Sequence, residues 1–248
     1  MLVGLVSAKG SPGVTTSALA LASVWPRAVL LLDADPFGGD VRAGLAGGEW
    51  PGSAGLAEAV ADLRSVGIDE ALSRRAHQPA PWAPPVLAGL GCVGQAATLP
   101  WTDIGNELRR LRAADVVADC GRYAVADGIG GLLRCCDALV LVTQSSLRAV
   151  RAAVRVAPSL GQELAVSPND PRLSVLVVGP NEPYSSAEIA AACGTALLGE
   201  MSHDPRAAAV WSDGDPPGRW FRRSLLQRDA RHLVPKLAAL DIVNRGAA

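Results

Sequence analysis

Short apolar segments alternate along the chain with longer segments in which apolar residues recur at helical spacing. Several of the short segments are almost wholly apolar, as expected of strands that are covered on both faces. Such strands alternating with helices are typical of βαβ units. They predict an α/β fold with a doubly wound, mostly parallel sheet flanked by helices. We predict strands at residues 2–6, 28–32, 85–88, 116–118, 138–143 and 173–178.

The predicted helices are the longer segments between and after these strands. They span residues 15–24, 55–66, 68–75, 102–113, 147–157, 185–193 and 225–240. Prolines cluster at residues 78–85 and turn-forming residues at 213–218, which predicts two loops, neither long enough to link domains. With 248 residues, 49% of them hydrophobic, the chain can bury a large core. We therefore expect residues 1–248 to form one domain.

Charge and cysteine content exclude some classes of protein. The net charge of −1 gives no global reason to expect nucleic acid or an anionic membrane as partner. The five cysteines are odd in number and lack paired Cys-x-x-Cys spacing, which argues against a disulfide framework and against a zinc site. No apolar stretch reaches the roughly 18 to 20 residues of a transmembrane helix. We expect a cytoplasmic protein.

A glycine-rich loop lies between the first predicted strand and the first predicted helix. It reads Lys9-Gly10-Ser11-Pro12-Gly13-Val14-Thr15-Thr16. In a phosphate-binding loop (P-loop), backbone N–H groups and the helix N-terminus hold the phosphates, a lysine contacts the β and γ oxygens, and a hydroxyl binds Mg²⁺. Val14 takes the position of that lysine, and Lys9 is the only lysine nearby. The alternative is an ordinary strand-to-helix turn, with Thr15 or Thr16 capping the helix.

Acidic residues follow two of the predicted strands. Asp33 and Asp35 come after residues 28–32, and Asp119 comes after residues 116–118. Ligands of doubly wound sheets bind at the carboxyl ends of the strands, so these carboxylates are candidates for Mg²⁺ coordination and for orienting water. The alternatives are an Asp-Pro turn for the pair and a polar end to a buried strand for Asp119.

These features together resemble the MinD/ParA family, whose deviant Walker A motif is typically Lys-Gly-Gly-x-Gly-Lys-Thr-Thr. The motif matches residues 9–16, and Asp33-Ala34-Asp35 and Asp119 follow in the family's order. The likeness continues at residues 136–143 and 197–206 and so covers nearly the whole chain. It implies ATP and Mg²⁺ as cofactors and a homodimer that closes around two ATP molecules.

The resemblance also implies roles for individual residues. Lys9 would reach across to the partner's nucleotide, and Asp35 would position the attacking water; these are the two catalytic candidates. The metal candidates are Thr15, Asp33 and Asp119. The cofactor-binding candidates are Lys9, Gly10, Ser11, Pro12, Gly13, Val14, Thr15, Thr16 and Asp119, with Asp204 and Pro205 on the adenine side.

Val14 removes the charge that contacts the phosphates, which predicts weak or absent hydrolysis. The motif keeps its first lysine, Lys9, and has Val14 in place of its second lysine. In this it is similar to the motifs of the TadZ/CpaE branch, which belongs to Tad (Flp) pilus systems. That likeness implies an ATP-binding, dimerising protein that positions or assembles a pilus or secretion apparatus and is recruited to the membrane by a protein partner. The alternatives are an active ParA-like ATPase that partitions DNA or other cargo, and a nucleotide-free pseudo-ATPase scaffold.

Two C-terminal features have a second interpretation. The segment 219–223 with Arg228 and Arg231 is basic and aromatic and could contact DNA phosphates. In an arginine-rich chain, however, a solvated helix face is favoured over DNA binding. The segment 232–243 could bind a membrane surface, but it has little positive charge, and packing on the sheet is favoured.

Overall fold

A seven-stranded parallel sheet forms the centre of the computed structural model, with strand order β3-β2-β4-β1-β5-β6-β7. The structure describes residues 1–10, 12–39, 41–46, 50, 55–124, 128–180 and 183–246, with residues 46 and 241–246 described by backbone only. The strands are β1 Leu2–Ser7, β2 Val29–Asp33, β3 Val86–Leu87, β4 Asp115–Arg122, β5 Ala138–Thr143, β6 Leu173–Val178 and β7 Ala196–Met201. All six pairings between neighbouring strands are parallel, which confirms the predicted fold class.

Helices lie between and after the strands. They are α1 Val14–Ser23, α2 Val41–Ala46, α3 Leu56–Asp62, α4 Ile68–Arg75, α5 Trp101–Arg110, α6 Gly130–Leu133, α7 Leu147–Leu164, α8 Ser186–Cys193, α9 Pro205–Ser212 and α10 Leu225–Gly246. Short 3-10 helices occupy Val93–Thr98 and Phe221–Arg223. Within the part of the chain that the structure describes, no helix combines the length and the apolar character needed to cross a membrane.

Two apolar clusters cover the two faces of the sheet. Alternate residues of β1 divide between them, since Leu2 and Val6 belong to one cluster and Val3 and Leu5 to the other. Helices α3, α4, α5, α7 and α8 contribute to the first cluster, and α1, α9 and α10 to the second. This division explains why the strands are apolar without polar alternation.

Several predicted boundaries differ from the structure for identifiable reasons. β4 extends well beyond the predicted residues 116–118 because it pairs with β1 on one side and β2 on the other. Asp119 therefore lies within a strand and not after it, and Asp33 is the last residue of β2. Helix α7 continues through Pro158 to Leu164, seven residues beyond its predicted end.

The edge strand β7 and helices α2, α6 and α9 were not predicted. β7 has mixed burial and a register shift against β6, so its apolar pattern is broken. Helices α2 and α6 have six and four residues, too short to show a helical period, whereas α9 has eight, as many as the predicted α4 and α8.

Candidate functional site

The predicted phosphate-binding loop connects the end of β1 to the start of α1. Gly13 is the N-cap of α1, with φ of 95° in the left-handed region that favours glycine. No side chain caps this helix, so the alternative in which Thr15 or Thr16 caps it is wrong. The first-turn N–H groups of a helix without a side-chain cap need another acceptor, and a phosphate is one. Ser11 lies outside the described residues.

The two positions that could carry the loop's lysine differ in burial. Val14 is 6% exposed and belongs to the apolar cluster that includes α10. Lys9 is exposed, and it has no ion-pair partner among the residues that the structure describes. Gly10 is exposed with open space beside its Cα. The loop therefore presents one cation to solvent and none at the position of Val14.

The acidic residues of β2 and β4 come together beside this loop. Asp33 and Asp119 are register partners on neighbouring strands and are 0% and 1% exposed. The Thr15 hydroxyl lies close enough to the Asp119 carboxylate to oppose the rise in its pKa that burial causes. Asp119 Oδ1 accepts from the Gly121 N–H at 3.0 Å. The first turn of α1 is thus placed beside the acidic pair.

Asp33 is the least satisfied of these carboxylates. Its Oδ1 accepts from the Asp35 N–H at 3.3 Å, and the backbone of Gly89 lies close to the carboxylate. Its buried Oδ2 has no hydrogen-bond partner among the described residues. Burial, then the charge of Asp119, raises the pKa of Asp33 well above its ordinary value. Burial also raises the pKa of Asp119 to about 6, with a further contribution from the charge of Asp35.

Three glycines that the sequence analysis missed allow the backbone to approach these acids. A Cβ on Gly39 would lie 1.9 Å from both Asp33 carboxylate oxygens, and one on Gly89 would lie 2.8 Å from Asp33 Cγ. Gly121 has φ of 58°, and a Cβ there would lie 2.2 Å from Asp35 Cγ. A sequence signal was available for Gly121 alone, which follows Asp119 and Cys120 at the end of an apolar segment.

The side-chain oxygens at the loop suit Mg²⁺, but phosphate or water oxygens would have to complete its coordination. Among the described residues, no group of three or more His, Cys, Asp or Glu side chains is arranged to hold a metal ion. The side chains present at the loop are the Thr15 hydroxyl and carboxylate oxygens, which are the hard ligands that Mg²⁺ takes together with phosphates and water. The partnerless Oδ2 of Asp33 is a buried acceptor that a hydrated cation would satisfy.

A cleft of about 170 Å³ lies beside the loop. Its walls include Gly13, Thr16, Gln144, Val178, Ser202 and Asp204. This volume is below the roughly 300–1,000 Å³ usual for small-molecule sites, so a whole nucleotide would extend beyond it.

The two predicted adenine-side residues differ in their relation to this cleft. Asp204 lines it and caps α9 by accepting from the Ala207 N–H at 3.1 Å. Pro205 is exposed at the first position of α9 and is not part of the wall. The sequence analysis missed Gln144, which directly follows β5.

The fold is that of the ParA and MinD ATPases. A ParA family ATPase from Chlorobium tepidum TLS superposes with a TM-score of 0.73 at 17% identity, covering 94% of this chain and 98% of that one. The septum site-determining protein MinD from Pyrococcus horikoshii OT3, complexed with Mg-ADP, superposes with a TM-score of 0.72 at 15% identity and 95% coverage of both chains. No family model matches the chain.

A closer relative is the uncharacterized protein MT3760 of Mycobacterium tuberculosis strain CDC 1551 / Oshkosh. It is 31% identical over 255 residues, which cover 100% of this chain and 67% of the relative. The same values hold for uncharacterized protein Rv3660c of strain ATCC 25618 / H37Rv. The chain belongs to the family of these mycobacterial proteins. The match covers all of this chain, and about a third of each relative's length lies outside it.

Proposed function

We propose that this chain binds ATP and Mg²⁺ at the carboxyl edge of β1, β2 and β4, dimerises, and hydrolyses ATP weakly or not at all. The position of the Thr15 hydroxyl beside the Asp119 carboxylate carries this proposal, because it brings a hydroxyl of the glycine-rich loop to a buried acidic pair. A strand-to-helix turn that binds no ligand does not explain why Asp33 Oδ2 is buried without a hydrogen-bond partner among the described residues. Residues 1–248 would act as one nucleotide-binding domain.

The residues of the loop would bind the phosphates. The uncapped N-terminus of α1 presents N–H groups, and its dipole favours an anion there. Lys9, exposed and without an ion-pair partner among the described residues, would contact the nucleotide of the partner subunit. The adenine would lie towards the cleft that Asp204 lines, with Pro205 on the same loop.

Bound Mg²⁺ would neutralise phosphate charge. Thr15 would hold the ion, while Asp33 and Asp119 would support its shell through water. Asp35 would orient the attacking water. Its Oδ1 accepts from the Phe37 N–H at 2.9 Å, which fixes the carboxylate in a turn beside the pair.

The burial of Val14 supports slow turnover. Phosphoryl transfer depends on cations that stabilise charge developing in the transition state, and removing one such contact costs about 10²–10³-fold in rate. A valine that is 6% exposed in an apolar cluster supplies no such contact. The site would therefore act as a nucleotide-dependent switch more than as a fast enzyme.

The cellular role we propose is to position or assemble a cytoplasmic machine, such as a Tad-type pilus or secretion apparatus, with recruitment to the membrane by a protein partner. One solved neighbour is a MinC:MinD cell division protein complex from Aquifex aeolicus. DNA partitioning by an active ATPase is the alternative that DNA-stimulated hydrolysis would favour.

A nucleotide-free scaffold is a second candidate. It is favoured by the 170 Å³ volume of the cleft and by the apolar burial of Val14. Under this alternative ATP would change neither the oligomeric state nor the stability of the protein.

Light scattering with size-exclusion chromatography tests the switch. We expect Mg-ATP to convert monomer to dimer in the wild type and to fail in Lys9→Ala. Arg112→Ala removes an exposed cation just before β4, at the opposite edge of the sheet, and should dimerise as the wild type does. A dimer that forms equally with and without ATP, or equally in Lys9→Ala, would contradict the proposal.

A further inference from the structure

A second cavity, of about 600 Å³, lies beside the smaller cleft, and three of its seven lining residues are arginines. Its walls are Asp204, Arg206, Arg219, Trp220, Arg223, Ser224 and Leu225. The volume falls in the range of roughly 300–1,000 Å³ that is usual for small-molecule sites. Only Asp204 is shared with the smaller cleft, so the two cavities are distinct.

The charge of this arginine cavity is unbalanced. Three guanidinium groups line it against the one carboxylate of Asp204, which already accepts the Ala207 N–H that caps α9. Arg206, Arg219 and Arg223 form no ion pair with any residue that the structure describes. Cations that converge without a counter-charge are a potential site for an anion.

One of the guanidinium groups is held in place by aromatic packing. The Arg206 Cζ lies 4.0 Å from the centroid of the Trp220 ring, in cation–π contact. Trp220 meets the buried Phe221 edge to face at 5.9 Å, and Phe221 meets the buried Trp211 at 5.4 Å. A fixed guanidinium loses less conformational freedom on binding than a mobile one.

The backbone adds to the positive potential. Helix α9 begins at Pro205 and α10 begins at Leu225, so the N-termini of two helices meet at the cavity. The positive end of a helix dipole favours an anion. Guanidinium groups match the oxygens of a phosphate through two parallel hydrogen bonds.

We propose that the arginine cavity binds a small polyphosphorylated anion, separately from the nucleotide site at the P-loop. A polyphosphate fits better than a single phosphate because three guanidinium groups line one concave space. This proposal does not depend on the proposed ATP site.

Calorimetry on the full chain without Mg²⁺ tests it, with orthophosphate, pyrophosphate and tripolyphosphate as probes. We expect affinity to rise with the number of phosphates. Arg219→Ala/Arg223→Ala should weaken tripolyphosphate binding at least tenfold, because two charge-assisted contacts are lost. Both arginines are exposed, so the variant should fold. Arg109→Ala/Arg112→Ala removes the same charge from exposed positions elsewhere and should bind within twofold of the wild type.

The variant Lys9→Ala/Thr15→Val distinguishes binding in the arginine cavity from binding at the P-loop. It should also bind tripolyphosphate within twofold of the wild type. Loss of binding in that variant, with retention in Arg219→Ala/Arg223→Ala, would place the anion at the P-loop and overturn the proposal. Absence of binding by the wild type at millimolar tripolyphosphate would overturn it too. A short DNA duplex that binds through Arg219 and Arg223 when tripolyphosphate does not would replace the small anion with a nucleic acid backbone.

Discussion

Asp115 and Asp119 lie on the same strand, four residues apart, and both are buried, yet their surroundings are opposite. At the amino end of β4, Asp115 accepts from Trp25 Nε1 at 2.8 Å and from Arg27 Nε at 2.7 Å. Burial alone would raise the pKa of Asp115, but these hydrogen bonds lower it overall. At the carboxyl end, burial and a neighbouring carboxylate raise the pKa of Asp119 to about 6.

This difference separates a structural carboxylate from one that is available to a ligand. Asp115 is satisfied by the chain itself and stabilises the fold. Asp119 and its register partner Asp33 share one buried edge without a cation among the described residues. Buried acceptors left in this way cost stability, and such sites are expected where a ligand completes them.

The largest effect on stability is expected at Asp115, at the amino end of β4. Asp115→Ala removes the acceptor of the Trp25 indole N–H and the carboxylate that pairs with the Met1 ammonium and Arg27, so we expect a loss of about 2–4 kcal/mol in the free energy of unfolding. Urea denaturation measures it. A loss below about 0.5 kcal/mol would show that the contacts of Asp115 do not stabilise the amino end of the sheet.

The next effect concerns the glycines around the acids. Gly121→Ala places a Cβ 2.2 Å from Asp35 Cγ at a φ of 58°, which predicts a loss of about 1–3 kcal/mol. Gly94→Ala is the matched control, because Gly94 is exposed, has open space around it and has no positive φ, and it should change stability by less than about 0.5 kcal/mol. Equal stability of the two variants in thermal unfolding would contradict a close approach at Gly121.

A change of opposite sign is expected at Asp33. Asp33→Asn removes a buried charge beside Asp119 and leaves a neutral side chain of the same shape. It should therefore raise the free energy of unfolding by about 0.5–1.5 kcal/mol while weakening Mg-ATP binding. Denaturation without nucleotide and calorimetry with it measure the two effects. A variant that is less stable and binds normally would mean that Asp33 is structural.

The smallest effect is the pH dependence of the Asp115 contribution. The pKa of Asp115 is lower in the folded chain than the unfolded value of about 3.9. Its stabilisation is therefore fully present above about pH 4 and is lost as the pH falls through the folded pKa. The difference in melting temperature between wild type and Asp115→Asn should shrink below about pH 4. A difference that stays constant down to pH 2 would contradict this.

The sequence predicted the fold class and placed the two acidic segments at one edge, because apolar strands of a parallel sheet have a distinctive pattern. The strands at residues 138–143 and 173–178 coincide with β5 and β6. It could not predict β7, since the mixed exposure of this edge strand, with Gly199 inside it, breaks that pattern.

The details of the site were less accessible to sequence reasoning. The roles of Gly39 and Gly89 follow from contacts with Asp33 across loops that are distant in the chain, and local patterns do not encode such contacts. From the sequence, Arg219 and Arg223 were interpreted as part of a solvated helix face. That they line one cavity with Arg206, which packs on Trp220, is a tertiary contact that local patterns do not encode.

The central claim is that the loop and the acidic pair bind Mg-ATP, and calorimetry on the wild type, Thr15→Val and Thr102→Val tests it most directly. Thr102 is exposed on α5 and serves as a control of the same chemistry. We predict binding by the wild type and Thr102→Val, and at least tenfold weaker binding by Thr15→Val. No binding by the wild type at millimolar Mg-ATP, or equal binding by all three proteins, would contradict the account.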